Sequence, residues 1–294
     1  MKKSIISEVY EFIDQRPTGQ SFYFCQVPHI VIVHDQTSMK LQKQIYRPVF
    51  CLVLQGEKEV LVGKRRVVMR AGDALIVSHD LPVTTQVLEA TREQPYIALV
   101  IELDIALVRD LYEEVSEAVP TRSPVNSVAV GQADDGLQDA MHRLLALHAD
   151  PLQAKVLEPL IRREIHFRLL MTTHGGMLRE MLRIDSHAGR IAKATREIQG
   201  RFREPLVVRE LANLAGMSPS SFHEHFKAVT GCSPLQYQKA IRLIEAQQLL
   251  LEGTRSVSSV AFDVGYESPT QFSREYARKF GVSPREERKH AFAV

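Results

Sequence analysis

Residues 21 to about 102 consist of short apolar segments that alternate with turn-forming residues. The segments are rich in Val, Ile, Phe and Tyr, and turns that contain Gly56, Gly63 and Gly72 separate them. β-branched and aromatic residues favour strands, whereas glycine favours the backbone conformations of tight turns. The eight predicted strands are Ser21–Val27, Ile30–Val33, Val49–Leu54, Glu59–Val62, Val67–Met69, Leu75–Val77, Val83–Leu88 and Ile97–Glu102. Short strands at this spacing predict an antiparallel barrel or jelly roll rather than a parallel sheet.

The spacing of apolar residues changes at Asp104. Apolar residues then recur every three or four positions over residues 105–115 and again over residues 137–147, which predicts two helices. A longer helix is predicted over Pro151–Met171, because proline fits the first helical position and the apolar periodicity continues through the segment. Its apolar stripe fits either the core of the domain or a dimer interface. A break between domains is expected near residues 184–189.

The remainder of the chain, from Arg190, has a helical pattern throughout. Four helices are predicted to begin at Ser-Pro dipeptides, namely those at Ser218, Ser233, Ser268 and Ser283. Serine accepts hydrogen bonds from the free amides of a helix start, and proline loses nothing at the first helical position. Capping boxes are predicted where Gln or Glu follows the serine by three residues, at Gln236, Gln271 and Glu286. These signals predict a compact bundle of short helices.

This helical segment contains an internal repeat. Residues 211–217 match residues 260–266, and residues 218–234 match residues 268–284. Each copy has a short helix that ends at a glycine, a tight turn, and a second helix with aromatic residues four positions apart. The aromatic residues are Phe222 and Phe226 in the first copy and Phe272 and Tyr276 in the second. This pattern predicts two helix-turn-helix units.

The polar face of the second helix in each unit is predicted to contact DNA. The candidate residues are Ser220, Ser221, His223, Glu224 and Lys227 in the first unit and Thr270, Gln271, Ser273, Arg274 and Arg278 in the second. Short hydroxyl and amide side chains followed by a long basic one suit readout of base edges in a major groove. Residues 234–251 can form one connecting helix of roughly 27 Å at 1.5 Å per residue, which approaches the ~34 Å of one DNA turn. Two recognition helices could therefore enter successive grooves.

The distribution of charge agrees with a nucleic-acid module. The 294 residues are enough for two domains, and their formal net charge of +2 says little by itself. From His187 onward, however, there are 16 Lys and Arg against 11 Asp and Glu, whereas residues 1–186 carry 21 against 24. A basic C-terminal third on a mildly acidic body is typical of a DNA-binding domain attached to another domain.

Residues 190–289 closely resemble the DNA-binding domain of the AraC/XylS family of bacterial transcription regulators. The stretches that carry the resemblance are LANLAGMSPSSFHEHFKAVTGCSPLQYQKAIRLIEAQQLLL and VSSVAFDVGYESPTQFSREYARKFGVSPRE. The resemblance implies a seven-helix domain that reads DNA with the helices beginning at Ser218 and Ser268. By position it implies base contacts by Ser220, Glu224, Thr270 and Arg274. Glu224 departs from the basic residue often found there, and its carboxylate can accept from cytosine N4 but cannot bind phosphate.

The N-terminal part more loosely resembles the sensor domain of the same family, a cupin-like barrel followed by dimerisation helices. RPVFCLVLQGEKEVLVGKRRVVMRAGDALIVSHDLPVTTQV carries this resemblance. The expected fold class is α+β, with a cupin-like antiparallel barrel in residues 1–103, a helical connector in 104–186 and an all-α tandem helix-turn-helix bundle in 187–294. The resemblance implies a transcription regulator, activator or repressor, that binds double-stranded promoter DNA, acts with RNA polymerase, forms a homodimer and responds to a small-molecule effector or a stress signal.

Two alternatives concern the N-terminal part: a cupin-type metalloenzyme, or a dimerisation module without a ligand, fused to the DNA-binding domain. Only His79 lies where enzymatic cupins place metal ligands, and no His-x-His or His-Glu-x-x-His pair is present. We therefore expect no catalytic residue, no metal and no cofactor. Cys51 lies in an apolar strand and is expected to be buried; the functional alternative is a sensing thiol, which needs exposure and a lowered pKa.

The compartment follows from three further features. No apolar run approaches the roughly 18 residues of a membrane span, and the first 15 residues contain no uninterrupted apolar stretch of a secretory signal. The three cysteines, Cys25, Cys51 and Cys232, form no Cys-x-x-Cys pair and no disulfide framework. We expect a cytoplasmic protein that associates with the nucleoid through DNA and not with the membrane.

Overall fold

Two antiparallel sheets form the first part of the chain. A computed structural model describes residues 4–16, 20–25, 27–38, 41–115, 127–183 and 186–290. The strands are β1 (Phe22–Phe24), β2 (Ile30–Asp35), β3 (Gln42–Tyr46), β4 (Val49–Gln55), β5 (Glu57–Val62), β6 (Arg65–Arg70), β7 (Asp73–Val77), β8 (Leu81–Glu89), β9 (Tyr96–Glu102) and β10 (Val128–Gln132). One sheet has the order β1-β2-β9-β4-β7-β10 and the other the order β3-β8-β5-β6. Their pairings are antiparallel, as predicted.

Central strands of the six-stranded sheet bury both faces, which is why they read as continuous apolar runs. In β4, Phe50 and Leu52 face a core shared with helices, while Cys51 and Val53 face the second sheet. This alternation follows from the two-residue period of a strand. The sheet therefore lies between two apolar cores, one between the sheets and one beneath the helices.

The helices complete the first part of the chain and form all of the second. They are α1 (Ile5–Asp14), α2 (Ile105–Val115), α3 (Asp135–Ala146), α4 (Pro151–Met171), α5 (Gly176–Leu182), α6 (His187–Gly200), α7 (Val208–Leu214), α8 (Pro219–Thr230), α9 (Pro234–Leu251), α10 (Val257–Asp263), α11 (Pro269–Phe280) and α12 (Pro284–His290). α1 was not predicted; it packs Val9, Phe12 and Ile13 into the core beneath the helices.

The predicted helix over Pro151–Met171 is confirmed as α4. The Asp150 carboxylate accepts from the amides of Leu152 and Gln153, so it caps the helix start. One side of α4 is buried in the core, through Ile161, Ile165, Leu169 and Leu170. The other side exposes a second apolar stripe, formed by Leu152, Val156, Leu160, Phe167 and Met171.

The second part of the chain is a bundle in which α6 to α12 surround an aromatic core. Phe222, Phe226, Tyr237, Phe272 and Tyr276 are fully buried there. The predicted helix starts are confirmed, because Ser218, Ser233 and Ser268 each accept a bond from the amide three residues later.

Two of the three predicted capping boxes form. The side chains of Gln236 and Glu286 accept hydrogen bonds from the backbone amides of Ser233 and Ser283. The box predicted at Gln271 is wrong, since the Gln271 side chain donates to Glu275 within its own helix.

Candidate nucleic-acid interface and barrel cavity

Each helix-turn-helix unit uses a glycine to turn between its two helices. Gly216 follows α7 with φ +61°, and Gly265 follows α10 with φ +87°. Both values lie in the left-handed region, where glycine is favoured. A Cβ at Gly265 would also overlap the carbonyl of Arg203, so no larger residue fits this turn. The glycines thus set the angle between α7 and α8 and the angle between α10 and α11.

The buried faces of α8 and α11 determine which side chains are presented to solvent. The ring centroids of Phe222 and Phe226 lie 5.4 Å apart, and those of Phe272 and Tyr276 lie 5.5 Å apart. The exposed candidates on the opposite faces are Ser220, His223, Glu224, Lys227, Thr270, Gln271, Arg274 and Arg278. Two candidates are only half-exposed: Ser221, and Ser273, whose hydroxyl donates to the Pro269 carbonyl of its own helix.

The two exposed faces differ in charge. In the described part of the chain, Lys227, Arg274 and Arg278 have no acidic partner within 4.0 Å. A guanidinium without an internal partner can bond guanine O6 and N7 together or bind phosphate. Glu224 holds in the first unit the place that Arg274 holds in the second, so the second face is the more cationic.

The first unit and the adjoining start of α9 are also bonded to the sheet domain. The Tyr237 hydroxyl donates to the Asp80 carbonyl at 2.6 Å, and the Ser127 hydroxyl donates to the Val229 carbonyl at the end of α8. Gly63 and Gly231 meet backbone to backbone, and a Cβ on either would be obstructed by the other. Such contacts join residues more than 100 positions apart, and no local pattern marks them.

The second unit meets the sheet domain at β3. The Lys43 ammonium lies 5.4 Å from the centroid of the Phe280 ring at the end of α11. Ile45 packs against the aromatic core of the bundle. β3 therefore lies between the bundle and a cavity, because Gln44, Ile45 and Tyr46 also line that cavity.

That cavity, of about 710 Å³, opens between the two sheets next to the inter-sheet core. Phe22 and Phe24 lie at its wall and are 44% and 76% exposed. Cys51, Lys58 and Tyr96 also line it and are buried. The cavity thus has exposed aromatic rings beside the polar residues His29, Arg47 and Glu102 at its outer end, and buried polar groups at its inner end.

The alternatives weighed for Cys51 and His79 can be examined directly. Burial raises the pKa of the Cys51 thiol to about 11, so neither the exposure nor the low pKa of a sensing thiol is present. His79 is buried between the Ser78 hydroxyl, 2.8 Å from Nδ1, and the Ala188 carbonyl, 3.1 Å from Nε2, so both ring nitrogens have partners. Across the described ranges, no three His, Cys, Asp or Glu side chains are grouped to hold a metal. Within those same ranges, no helix has the length and apolarity needed to span a membrane.

Comparisons with known proteins identify both parts of the chain. Residues 26–177 match the model of the AraC-type transcriptional regulator N-terminus, and residues 211–290 match that of a helix-turn-helix domain. The lactose operon transcription activator of Staphylococcus xylosus is 31% identical over 93 residues, which is 32% of this chain and 33% of that protein. The regulator GbdR of Pseudomonas aeruginosa is 35% identical over 91 residues, which is 31% of this chain and 25% of GbdR. The matches span a third or less of these relatives.

Solved structures resemble the whole chain in fold. An apo variant of ToxT from Vibrio cholerae has a TM-score of 0.57 at 9% identity, and the match covers 94% of this chain and 99% of ToxT. ToxT bound to an unsaturated fatty acid has a TM-score of 0.54 at 11% identity, and the match covers 93% of this chain and 96% of ToxT. The predicted fold class, an antiparallel sheet domain followed by a helical DNA-binding bundle, is confirmed.

Proposed function

The chain belongs to the AraC-type transcriptional regulators, and from this premise we propose that α8 and α11 are its recognition helices. The chain is a DNA-binding transcription regulator; the proposal concerns which residues read the DNA. The observation that supports it most is the doubled unit, in which the aromatic residues are buried and the polar candidates lie on the free face. α9 has 18 residues, or roughly 27 Å, between the units, so successive major grooves are within reach.

The proposed roles follow from side-chain chemistry. Arg274 and Thr270 contact base edges, because they lie near the start of α11 opposite its buried aromatic residues. Lys227 and Arg278 contact phosphates, since they are long cations in the last turns of their helices. Glu224 accepts from a cytosine N4 donor. The remaining candidates, Ser220, Ser221, His223, Gln271 and Ser273, flank these contacts.

Salt dependence of DNA binding tests this assignment with the full chain. Each phosphate contact releases counterions, so the logarithm of affinity falls with the logarithm of salt by about 0.9 per contact. Arg278→Ala is expected to lower that slope by about one in a mobility-shift titration. Arg163→Ala removes the same charge from α4, where Arg163 pairs with Glu114, and is expected to leave the slope unchanged. Binding that does not respond to salt contradicts the proposal.

We further propose that the exposed stripe of α4 is a homodimer interface. Leu152, Val156 and Leu160 are 73%, 60% and 62% exposed, and their spacing of four residues places them on one side of the helix. An apolar stripe of this extent on a helix favours burial against a second copy. In sedimentation of the full chain, Leu160→Glu is expected to yield monomers. Leu251→Glu makes the same change at another exposed leucine, on α9, and is expected to remain dimeric. A wild-type monomer, or dimers of both variants, contradicts the interface.

The barrel cavity is the proposed effector site. Its volume of about 710 Å³ falls within the ~300–1,000 Å³ of typical small-molecule sites. The structure of ToxT with a bound unsaturated fatty acid supports small-molecule control in this fold. We propose that residues 1–103 sense, 104–186 connect and dimerise, and 187–294 bind DNA. The protein then acts without catalysis, at promoters, with RNA polymerase and in the cytoplasm where the nucleoid lies.

A further inference from the structure

The inner end of the barrel cavity contains a buried lysine where the strand pattern places apolar residues. Along β5, the two-residue period of a strand places Lys58, Val60 and Val62 on one face, and they are 9%, 0% and 7% exposed. Val60 and Val62 belong to the inter-sheet core, whereas Lys58 lines the cavity. An ammonium in such a position is costly unless a partner compensates its charge.

No acidic side chain of the described residues lies within 4.0 Å of the Lys58 ammonium. The Tyr46 hydroxyl bonds to it, and the centroid of the Tyr96 ring lies 5.5 Å from its Nζ. Desolvation opposes the charge, but the nearby Tyr46, Cys51 and Asp35 groups outweigh it, so the pKa of Lys58 lies above its ordinary value. Lys58 is therefore a charged donor that faces the cavity.

A second donor accompanies it. The Tyr96 hydroxyl is fully buried, lines the same cavity and has only the Cys51 thiol, a weak hydrogen-bonding group, as a partner among the described residues. A buried hydroxyl with so weak a partner gains from an acceptor that a ligand supplies. Both donors would be satisfied by one small anion with two acceptor atoms.

The rest of the cavity sets the character of the molecule that carries this anion. Phe22, Phe24, Val31 and Val100 contribute apolar wall, and the polar residues of the outer lining are His29, Gln44, Arg47 and Glu102. A sugar carries a hydroxyl on most of its carbons, and those that meet the apolar wall would stay unpaired, which is unfavourable. An apolar body with one anionic end matches both the wall and the donors.

We propose that the cavity binds an apolar monocarboxylate whose carboxylate accepts hydrogen bonds from the Lys58 ammonium and the Tyr96 hydroxyl. The inference rests on the proposed function, because it names the class of effector for the proposed effector site. A carboxylate provides two oxygens in one plane, one for each donor.

Isothermal titration of the full chain with matched acids and alcohols tests the inference. The probes are decanoate and 2-naphthoate, with decan-1-ol and 2-naphthylmethanol as their neutral counterparts. The acids are expected to bind roughly 10- to 100-fold more tightly than the alcohols, the range of one hydrogen bond to a charged group. Lys58→Met is expected to abolish this preference and to keep alcohol binding, because a buried site of this kind tolerates an apolar residue of similar volume.

A matched control and a second readout separate the outcomes. Lys64→Met removes an exposed lysine from the turn after β5 and is expected to behave as wild type. Equal affinity for acids and alcohols, an acid preference that survives in Lys58→Met, or no binding of any probe each overturns the inference. DNA binding of the same samples is measured in parallel by mobility shift. If salt-sensitive DNA binding persists in those cases, only the ligand class is wrong; if it is absent, the proposed function fails instead.

Discussion

The first helix-turn-helix unit, α7–α8, and the second, α10–α11, bury their aromatic residues alike but differ in what surrounds them. Phe222 and Phe272 hold equivalent positions, and both are fully buried. The first unit is bonded to the sheet domain through Val229 and, on the adjoining start of α9, Tyr237, whereas the second unit meets that domain at Phe280, beside Lys43 of β3. The two units thus share their aromatic packing and differ in their contacts with the rest of the chain.

The two units also differ in charge, and the second unit is the more cationic. Glu224 in the first unit stands where Arg274 stands in the second, and the last turn of α11 contains Arg278 and Lys279. We infer a division of work: the first unit connects the sensor to the DNA-binding domain, and the second supplies most of the sequence discrimination. Two copies of one motif allow such a division, because one recognition helix can contact bases while the other contacts the rest of the chain.

The largest expected effect tests the feature that the two units share, the burial of their aromatic residues. Phe222→Ala and Phe272→Ala should each lower the free energy of unfolding by about 3–5 kcal/mol, since each empties a fully buried site in one core. Urea denaturation of the full chain measures both. Ser220→Ala, on the exposed face of α8, should stay within about 0.5 kcal/mol of wild type. A much smaller loss for Phe272→Ala would show that the units are packed differently.

The next effect concerns the attachment of the bundle to the sheet domain. Burial lowers the pKa of His79 to about 4, so the folded protein keeps it neutral while the unfolded chain binds a proton near pH 6.5. Its stabilising contribution is complete above pH 6.5 and is lost as the pH falls toward 4, by up to about 3 kcal/mol. His79→Asn should flatten the dependence of unfolding free energy on pH in this window.

Exposed His29 provides the control for that measurement. His29 has φ +68°, a conformation that asparagine tolerates, so His29→Asn should keep the fold. His29→Asn therefore shows how far the loss of an exposed histidine alone changes the pH profile. Identical profiles for His79→Asn and the wild type would contradict the claim that burial keeps His79 neutral in the folded protein.

How far the sequence predicted these features depends on whether the signals are local. α9 was predicted over residues 234–251 and is observed over Pro234–Leu251, because Ser233 and Gln236 define its start within four residues. β3 was not predicted, since Gln42, Lys43 and Gln44 carry no apolar alternation. Its stability comes from pairing with β8 and from Ile45, which packs against a distant part of the chain.

The cavity was hidden for a similar reason. The strand predicted over residues 59–62 begins just after Lys58, so the prediction left Lys58 outside the sheet. In the structure β5 starts at Glu57, and its pairing with β6 and β8 turns Lys58 inward. Only the register of neighbouring strands decides which polar residue of a strand faces the core.

The smallest of these effects is the loss of one hydrogen bond between the bundle and the sheet domain, which tests whether the two units differ in their contacts with that domain. Tyr237→Phe removes the hydroxyl that donates to the Asp80 carbonyl and keeps the ring, so it should lower stability by about 1 kcal/mol. Hydrogen exchange should rise at residues 78–80. Tyr266→Phe removes a hydroxyl bonded to Glu275 within the second unit and should leave exchange at residues 78–80 unchanged. Equal exchange in both variants would argue against the first unit as the connecting one.

The most direct measurement compares specific and random DNA, with a duplex that the full chain itself selects from a random pool and a scrambled duplex of the same composition. Fluorescence anisotropy gives both dissociation constants. Arg274→Ala should reduce the ratio of specific to random affinity by roughly 10- to 100-fold, because a bidentate contact with guanine gives about 1–3 kcal/mol of discrimination. Lys227→Ala should weaken both complexes equally and lower the salt slope by about one. If Arg274→Ala instead weakens both complexes in the same proportion, Arg274 contacts phosphate and α11 does not read the bases through it.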